Sequence, residues 1–329
     1  MKLVVQVPCL NEEDTLPSVL QSIPRSIEGI DEIVVVVIDD GSSDRTVEVA
    51  RSLGVTHFVR HARNQGLARS FQDGVNYALE IGADIVVNTD GDNQYPQDRI
   101  PDLVRPIVEG RADIVIADRQ VHLVEHFSPA KKWLQKLGSQ VVNRAAGTDL
   151  PDAASGFRAY SRESLMRLNM ITRFSYCMES IIQAGNKRLR IESVPVVTNG
   201  KTRESRLFRS TRQHVFKSAA AIIRGYIMYK PYVIFGLASG VLAFLGMIPF
   251  VRYAVLVAMG DGGGHLQSLI LGAVLLILAF LSVMLGIISD LIRTNRILVE
   301  ATLEHTKRAR FEASADRHTD APIMRVVGS

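Results

Sequence analysis

Two carboxylates stand one residue apart where an apolar run ends in the stretch DIVVNTDGDNQYPQ. Asp90 and Asp92 flank Gly91, and Gln94 follows two residues later. Aspartate and glycine are poor strand formers, so this pattern serves something other than strand packing. Closely spaced carboxylates can bind one hard divalent cation, Mg²⁺ or Mn²⁺. Such a cation usually also binds substrate phosphates and would stabilise charge that develops on a diphosphate leaving group.

The elements that must position these residues follow from the surrounding pattern. Five apolar segments predict strands, and the segments between them carry apolar residues at helical spacing. The strand candidates are KLVVQVP, EIVVVVIDD, THFVR, DIVVNTD and ADIVIADR. Because these strands are apolar on both faces and alternate with helices, they predict an α/β fold, a mostly parallel sheet with helices on both faces.

Polar residues follow each predicted strand. These residues are Pro8 to Glu13, Asp39 and Asp40, Asn64 to Arg69, Asp90 to Gln94, and Asp118 with Arg119. Each of these residues, taken singly, could have no role beyond capping a helix. Since the carboxyl ends of parallel strands meet at one edge of a sheet, where ligands bind, the set predicts one site. Neither a G-x-x-x-x-G-K-[ST] loop nor a G-x-G-x-x-G after the first strand occurs, which disfavours a P-loop ATPase and a dinucleotide dehydrogenase.

Two apolar stretches, 232–250 and 266–289, are each long enough for a membrane-spanning helix, which needs about 20 residues. Lys and Arg residues are frequent before the first stretch and after the second, whereas the connecting loop has only Arg252. This bias predicts that both termini are cytoplasmic. The same basic residues suit anionic lipid headgroups, and no nucleic-acid motif occurs. Cys9 and Cys177 have no metal-ligand spacing and are expected to be reduced thiols.

Five motifs carry a family resemblance. VPCLNEEDTLPSVL, VIDDGSSDRT, RNQGLARSFQDGVNYA, NTDGDNQYPQ and DAASGFRAYSRE are similar, in this order, to the motifs of family 2 glycosyltransferases, which have the Rossmann-like GT-A fold. More closely, residues 1–210 resemble the polyprenyl-phosphate glycosyltransferases, the group that includes dolichyl-phosphate mannose synthase. The resemblance implies inverting transfer of a hexose from a UDP- or GDP-sugar to undecaprenyl or dolichyl phosphate.

The resemblance also implies which residues bind the donor. Pro8, Asn11 and Glu13 would line the nucleotide pocket, Asp39 and Asp40 would hydrogen-bond the base, and Asp90, Asp92 and Gln94 would hold Mg²⁺ or Mn²⁺, with Asp90 also at the nucleotide.

On the acceptor side, the resemblance implies that Asp92, Asp152 and Arg119 are catalytic residues. Five basic residues would contact the acceptor phosphate, namely Lys131, Lys132, Arg158, Arg203 and Arg206. Asp152 could act as a base or as an orienting group, and the second role is favoured because a phosphate acceptor is already anionic. For the same reason no histidine, His61 included, is assigned a role.

The predicted domain order is a cytoplasmic GT-A catalytic domain (1–207), interfacial juxtamembrane helices (208–231), a transmembrane hairpin (232–289) and a largely disordered cytoplasmic tail (290–329). Gly236, Gly240 and Gly246 are spaced for close helix contact, which would permit homo-oligomers.

Two departures from the family pattern bear on function. Leu10 stands where relatives often carry an aromatic residue, which puts base stacking there in doubt. The Q-x-x-R-W motif of processive synthases does not occur, so a polymerising enzyme is disfavoured. Two alternatives remain: a membrane-anchored glycosyltransferase with a glycan or protein acceptor, and a non-catalytic module that binds nucleotide sugars.

Overall fold

A computed structural model describes residues 1–120, 129–170, 176–199, 231–260, 266–315 and 324–327. The chain forms two compact units. The first, here called the sheet unit, contains residues 1–222 and 302–329, and the second, the helical unit, contains residues 223–301.

The sheet unit is built on eight strands. They are β1 (Lys2–Cys9), β2 (Glu32–Asp39), β3 (His57–His61), β4 (Ile85–Asn88), β5 (Ile114–Asp118), β6 (Arg158–Ser161), β7 (Ile191–Pro195) and β8 (Met324–Val327). Their order across the sheet is β7-β5-β6-β4-β1-β2-β3-β8. The five strands expected from the apolar runs are β1 to β5, and the mostly parallel α/β sheet is confirmed.

The central strand β1 is parallel to β2 and to β4, with Val5 opposite Val35 and Val87. Strand β6 runs antiparallel to both of its neighbours, β4 and β5. The apolar runs did not predict this strand. Because β6 lies between β4 and β5, it fills the gap between the two strand ends that carry Asp90 and Arg119.

Seven helices cover the sheet within the described residues of this unit. They are α1 (Leu16–Ser22), α2 (Thr46–Ser52), α3 (Leu67–Glu80), α4 (Ile100–Val108), α5 (Pro129–Ala146), α6 (Arg162–Arg167) and α7 (Tyr176–Asn186). Helix α1 begins at Leu16 and α2 at Thr46, several residues after the preceding strands end. The residues between form loops, and backbone groups of one loop donate to side chains of the other, as from Glu13 N to Asp44 Oδ2 at 3.1 Å.

The helical unit contains α8 (Pro231–Ala258) and residues 266–301 of α9 (Leu266–Ala315). Both helices are long and apolar enough to cross a membrane, and only 6% and 17% of their most apolar segments are buried. The helices approach closely where a Cβ added to Gly246 would lie 3.1 Å from the Gly272 oxygen. A Cβ at Gly236 or Gly240 would meet nothing within 4 Å, so among the three glycines singled out, Gly246 makes the contact inside the described hairpin. The predicted interfacial helices (208–231) fall outside the described residues, except for Pro231, which begins α8.

The prediction of a largely disordered tail at 290–329 is wrong for the described parts of that segment. Helix α9 continues to Ala315, and Phe311 is buried in the sheet unit. Lys307 donates through Nζ to the carbonyl oxygen of Leu168 at 2.7 Å, at the end of α6. Strand β8 then pairs in parallel with β3. The polar composition of this segment suggested disorder, but a few apolar and basic residues dock it onto the sheet unit.

Candidate active site

The turn Asp90–Gln94, here called the carboxylate turn, follows β4 at the carboxyl edge of the sheet. Asp92 Oδ1 accepts a hydrogen bond from Gln94 N at 3.2 Å, and Asn93 has a positive φ of 57°. Thr15, which lies in the loop between β1 and α1, also holds the turn, because its Oγ1 donates to the Gly91 carbonyl at 2.8 Å. Three of the predicted site residues, Asp90, Asp92 and Gln94, therefore lie on one short turn at the expected edge.

Arg119 and Asp152, the other two predicted catalytic residues, form an ion pair beside this turn. Arg119 follows β5, and its Nε and Nη2 donate to the two carboxylate oxygens of Asp152 at 2.6 and 3.0 Å. Asp152 is 3% exposed and Arg119 18%. Ala154 N also donates to Asp152 Oδ1 at 3.2 Å. A two-pronged contact of this kind fixes the orientation of both side chains.

The ion pair keeps Asp152 ionised. Burial alone would raise the pKa of the Asp152 carboxyl, but the charge and hydrogen bonds of Arg119 outweigh it and hold that pKa below its ordinary value. Both oxygens already accept hydrogen bonds from Arg119, so the carboxylate is a weak base at neutral pH. This geometry suits a group that orients Arg119 better than one that removes a proton.

The predicted nucleotide-pocket residues at the end of β1 lie against the loop that follows β2. Asn11 N donates to Ser42 Oγ at 2.9 Å, and Asn11 Oδ1 accepts from Ser43 N at 2.8 Å. Glu13 Oε2 accepts from Arg45 N at 3.1 Å. Pro8 is buried within β1, where it pairs with Ile38. The structure brings these residues together at the edge and uses Asn11 and Glu13 to join two loops.

Asp39 and Asp40 are both buried, and their carboxylates accept hydrogen bonds from protein donors. Asp39, which is fully buried, accepts from Ser42 N at 2.9 Å and from Arg60 Nε at 3.1 Å. Asp40 accepts from Gln65 N at 2.8 Å and Gly66 N at 2.9 Å. These hydrogen bonds shape the loops after β2 and β3, and contact of either carboxylate with a base stays a prediction.

Arg158 requires a correction, because it is fully buried and cannot contact an acceptor phosphate. Its guanidinium donates to four protein oxygens, those of the Ser155, Ala153 and Cys177 carbonyls and the Ser180 hydroxyl, at 2.7 to 2.9 Å. Arg158 therefore holds the backbone of residues 153–155 against α7. Of the other predicted phosphate contacts, Lys132 lies on α5, whereas the Lys131 side chain, Arg203 and Arg206 lie outside the described residues.

The oxygen ligands of the carboxylate turn fit a divalent cation whose remaining ligands come from a substrate. No three His, Cys, Asp or Glu side chains form a metal site by themselves among the described residues. Asp90 and Asp92 nevertheless supply two carboxylates, and Gln94 an amide oxygen, on one turn. Mg²⁺ is commonly bound through one or two carboxylates together with substrate phosphates, so this set of oxygen ligands is adequate.

Residues 4–168 match the model of glycosyl transferase family 2. The chain belongs to this family. The chain is 28% identical, over 213 residues, to a UDP-N-acetylglucosamine–dolichyl-phosphate N-acetylglucosaminyltransferase of Methanococcus voltae, which covers 58% of this chain and 83% of the relative. It is 32% identical, over 218 residues, to a dolichol-phosphate mannosyltransferase of Pyrococcus furiosus, covering 63% and 59%.

The fold of this family 2 glycosyltransferase is similar to that of glucosyl-3-phosphoglycerate synthase from Mycobacterium tuberculosis, solved with Mn²⁺, UDP and phosphoglyceric acid. The two chains are 20% identical, the TM-score is 0.53, and the match covers 67% of this chain and 78% of the other. At this identity the likeness supports the fold alone.

Two buried residues next to predicted site residues were not predicted to have a role. His61 is buried between two carboxylates, with Nδ1 2.7 Å from Asp40 Oδ1 and Nε2 3.2 Å from Asp73 Oδ2. Hydrogen bonds to Asp40 and then Asp73 raise the pKa of His61 to about 9, against the opposing effect of burial. Tyr95 directly follows the carboxylate turn, and its Oη accepts from Gly156 N at 2.9 Å. Its position next to Gln94 was the one available signal.

Proposed function

We propose that this glycosyltransferase transfers a hexose, with inversion, from a UDP- or GDP-sugar to the phosphate of a polyprenyl phosphate such as undecaprenyl or dolichyl phosphate. The observation that carries the proposal is that a turn with two carboxylates and a buried Arg119–Asp152 pair lie at the same edge of one sheet. The names of the two relatives, which act on dolichyl or dolichol phosphate, support the choice of acceptor.

On the donor side, Asp90, Asp92 and Gln94 would hold the Mg²⁺ or Mn²⁺ ion together with the donor diphosphate. The bound ion supplies positive charge that stabilises the departing nucleoside diphosphate. The chain's own contribution is to fix both carboxylates on a short turn, so that little reorganisation is needed during the reaction.

On the acceptor side, Arg119 would bind the lipid phosphate. Its Nε and Nη2 bond Asp152, and the guanidinium still has N–H groups on Nη1 that can donate to a phosphate oxygen. Since that phosphate is anionic at neutral pH, it can attack the anomeric carbon without a strong base. The protein mainly has to hold two negatively charged substrates in line, which is catalysis by positioning.

The candidate membrane helices fit an acceptor that cannot leave the bilayer. Helices α8 and α9 would anchor the enzyme in the cell membrane as two spans. The excess of Lys and Arg outside the hairpin loop supports a cytoplasmic sheet unit and cytoplasmic termini. The basic segment with Arg203 and Arg206 would then lie next to lipid phosphates.

The test uses the full chain purified in detergent, polyprenyl phosphate and a panel of radiolabelled UDP- and GDP-sugars, with label counted in the organic extract. We expect label from one donor, lost with EDTA and with Asp92→Asn. Asp98→Asn is the matched control, because Asp98 is exposed on the short helix Gln97–Arg99, which follows the turn. If UDP or GDP binds but no donor labels the lipid, the acceptor is not a polyprenyl phosphate.

A further inference from the structure

Two loops of the proposed site meet at a buried contact. The first is the carboxylate turn, and the second, here called the Asp152 loop, runs from Asp152 to Phe157. Tyr95 follows the turn, is 5% exposed, and accepts a hydrogen bond at Oη from Gly156 N at 2.9 Å. Its ring stacks on that of Phe157, with centroids 5.2 Å apart. Tyr95, next to the proposed site of the sugar donor, thus holds the backbone of the loop next to the proposed site of the acceptor phosphate.

Gly156 is held from its carbonyl side as well. Its oxygen accepts from Asn88 Nδ2 at 3.0 Å and from Tyr176 Oη at 3.1 Å. Asn88 Oδ1 in turn accepts from Gln6 Nε2 at 2.9 Å, on the central strand. All of these side chains are buried, and each makes at least one hydrogen bond within the network, which restricts its movement. The Tyr95 contact therefore ties the turn to the fixed frame of the sheet.

The two loops are in close contact at this point. A Cβ added to Gly156 would lie 3.1 Å from Tyr176 Oη, 3.4 Å from Asp90 Oδ2 and 3.5 Å from Tyr95 Oη. The α-carbon of Gly156 therefore lies against the carboxylate of Asp90. Any movement of the Asp152 loop relative to Tyr95 would also move that loop relative to a proposed metal ligand.

The turn has two further attachments, the hydrogen bond from Thr15 Oγ1 to the Gly91 carbonyl at 2.8 Å and a pair of bonds from Asn199 on its exposed side. Asn199 N donates to the Gln94 carbonyl and Asn199 Nδ2 to the Asn93 carbonyl, both at 3.0 Å. Asn199 is exposed, so water competes for these bonds. Among Tyr95, Thr15 and Asn199, Tyr95 is the buried residue and the one that reaches the Asp152 loop.

We propose that Tyr95 is a positioning residue that sets the spacing between the carboxylate turn and the Arg119–Asp152 pair. This inference rests on the proposed function, because it assigns the turn to the donor and the pair to the acceptor. Tyr95 acts through Gly156 and touches neither substrate. Reaction rates depend steeply on such spacing, since a misplacement of about 1 Å can cost a factor of about 100.

The test compares Tyr95→Phe with Tyr77→Phe. Each change removes one hydroxyl from a buried ring, and the Tyr77 hydroxyl lies 2.9 Å from His57 Nδ1, a contact of α3 with β3. We would measure Mn²⁺-dependent binding of UDP and GDP by calorimetry, kcat and KM for lipid transfer, and Tm. Tyr95→Phe should weaken Mn²⁺-dependent nucleotide binding by about threefold to tenfold and lower kcat about tenfold, the scale of one hydrogen bond. Both variants should lower Tm by a similar amount, whereas Tyr77→Phe should leave binding and kcat unchanged.

Two outcomes would overturn the positioning role. One is equal binding and kcat in both variants, and the other is a defect of Tyr95→Phe that appears in Tm alone. If Tyr95→Phe does not fold, Phe157→Leu removes the ring on which Tyr95 stacks, and normal metal-dependent binding in that variant would reject the proposal. If the wild type binds nucleotide with Mn²⁺ but transfers nothing to lipid, the proposed function fails, while the binding measurements still decide the role of Tyr95.

Discussion

The Arg119–Asp152 pair is buried, so removing one of its charges should destabilise the fold. With Asp152 3% exposed and Arg119 18% exposed, removing the carboxylate leaves a poorly solvated cation. We expect Asp152→Asn to lower the free energy of unfolding by about 3 kcal/mol. The matched control is Asp113→Asn, because Asp113 also pairs with an arginine, Arg190, whose side chain is 58% exposed. That change should cost about 1 kcal/mol or less. Equal costs in denaturant titrations would show that burial does not set the strength of the pair.

The buried His61 predicts a stability that depends on pH. Its charged form lies between Asp40 and Asp73, and Arg69 Nε also donates to Asp73 at 2.7 Å. Because the folded protein raises the pKa of His61 to about 9, above an unfolded value of about 6.5, the charged histidine stabilises the fold. This stabilisation is complete below about pH 6.5 and is lost as the pH rises through about 9.

The measurement is Tm from pH 6 to pH 10 for the wild type and His61→Gln. The difference between them should be largest near pH 6, several degrees for a unit of this size, and should shrink towards pH 10. A difference that is constant over this range would mean that His61 is neutral in the folded protein.

Individual site residues could be predicted when their signal is local. The carboxylate turn follows an apolar strand within a few residues, so its position was predicted. The burial of Arg158 could not be, because its partners Cys177 and Ser180 lie on α7, about 20 residues away. His61 is likewise defined by two carboxylates on other elements, and nothing next to it in the chain indicates them.

At the scale of elements, α5 and α7 approach so closely that only a glycine fits at one position. A Cβ added to Gly185 would lie 2.1 Å from the Ala146 carbonyl oxygen, at the end of α5. We expect Gly185→Ala to destabilise the sheet unit by about 3 kcal/mol, since backbone must move. Gly138→Ala on α5 is the control: nothing lies within 4 Å of the added Cβ, and alanine should stabilise the helix by about 0.5–1 kcal/mol. Denaturant titration of both variants checks the prediction, and two changes of the same sign would contradict it.

Strand β6, one of the three strands that the apolar runs did not predict, shows why such runs are an incomplete guide to strands. Its four residues, RAYS, are few and include the buried Arg158, so they give neither a continuous apolar run nor a clear alternation. β6 is a strand because β4 and β5 present hydrogen-bonding edges on either side of it. Tertiary pairing of this kind is not encoded in a short segment.

At the scale of the whole molecule, residues that follow the helical unit in the chain help to stabilise the sheet unit. Phe311 is 1% exposed, and its carbonyl accepts from Arg162 Nη2 at 3.3 Å. We expect Phe311→Ala to lower the free energy of unfolding of the sheet unit by about 3–4 kcal/mol. The control, Leu303→Ala, changes a residue of the same helix that is 42% exposed, and should cost about 1 kcal/mol or less. Equal effects on Tm in detergent would mean that residues 302–315 do not contribute to the stability of this unit.

The order of these segments along the chain has a consequence for biosynthesis. A ribosome makes β1 to β7 first, then the two apolar helices, and only afterwards the docking residues of α9 and strand β8. Until then the outer edge of β3 has no partner, and open edges of this kind invite aggregation. The sheet unit can therefore reach its final form only after both apolar helices of the helical unit have been synthesised. A nascent chain that stops before these last residues would carry an incomplete sheet.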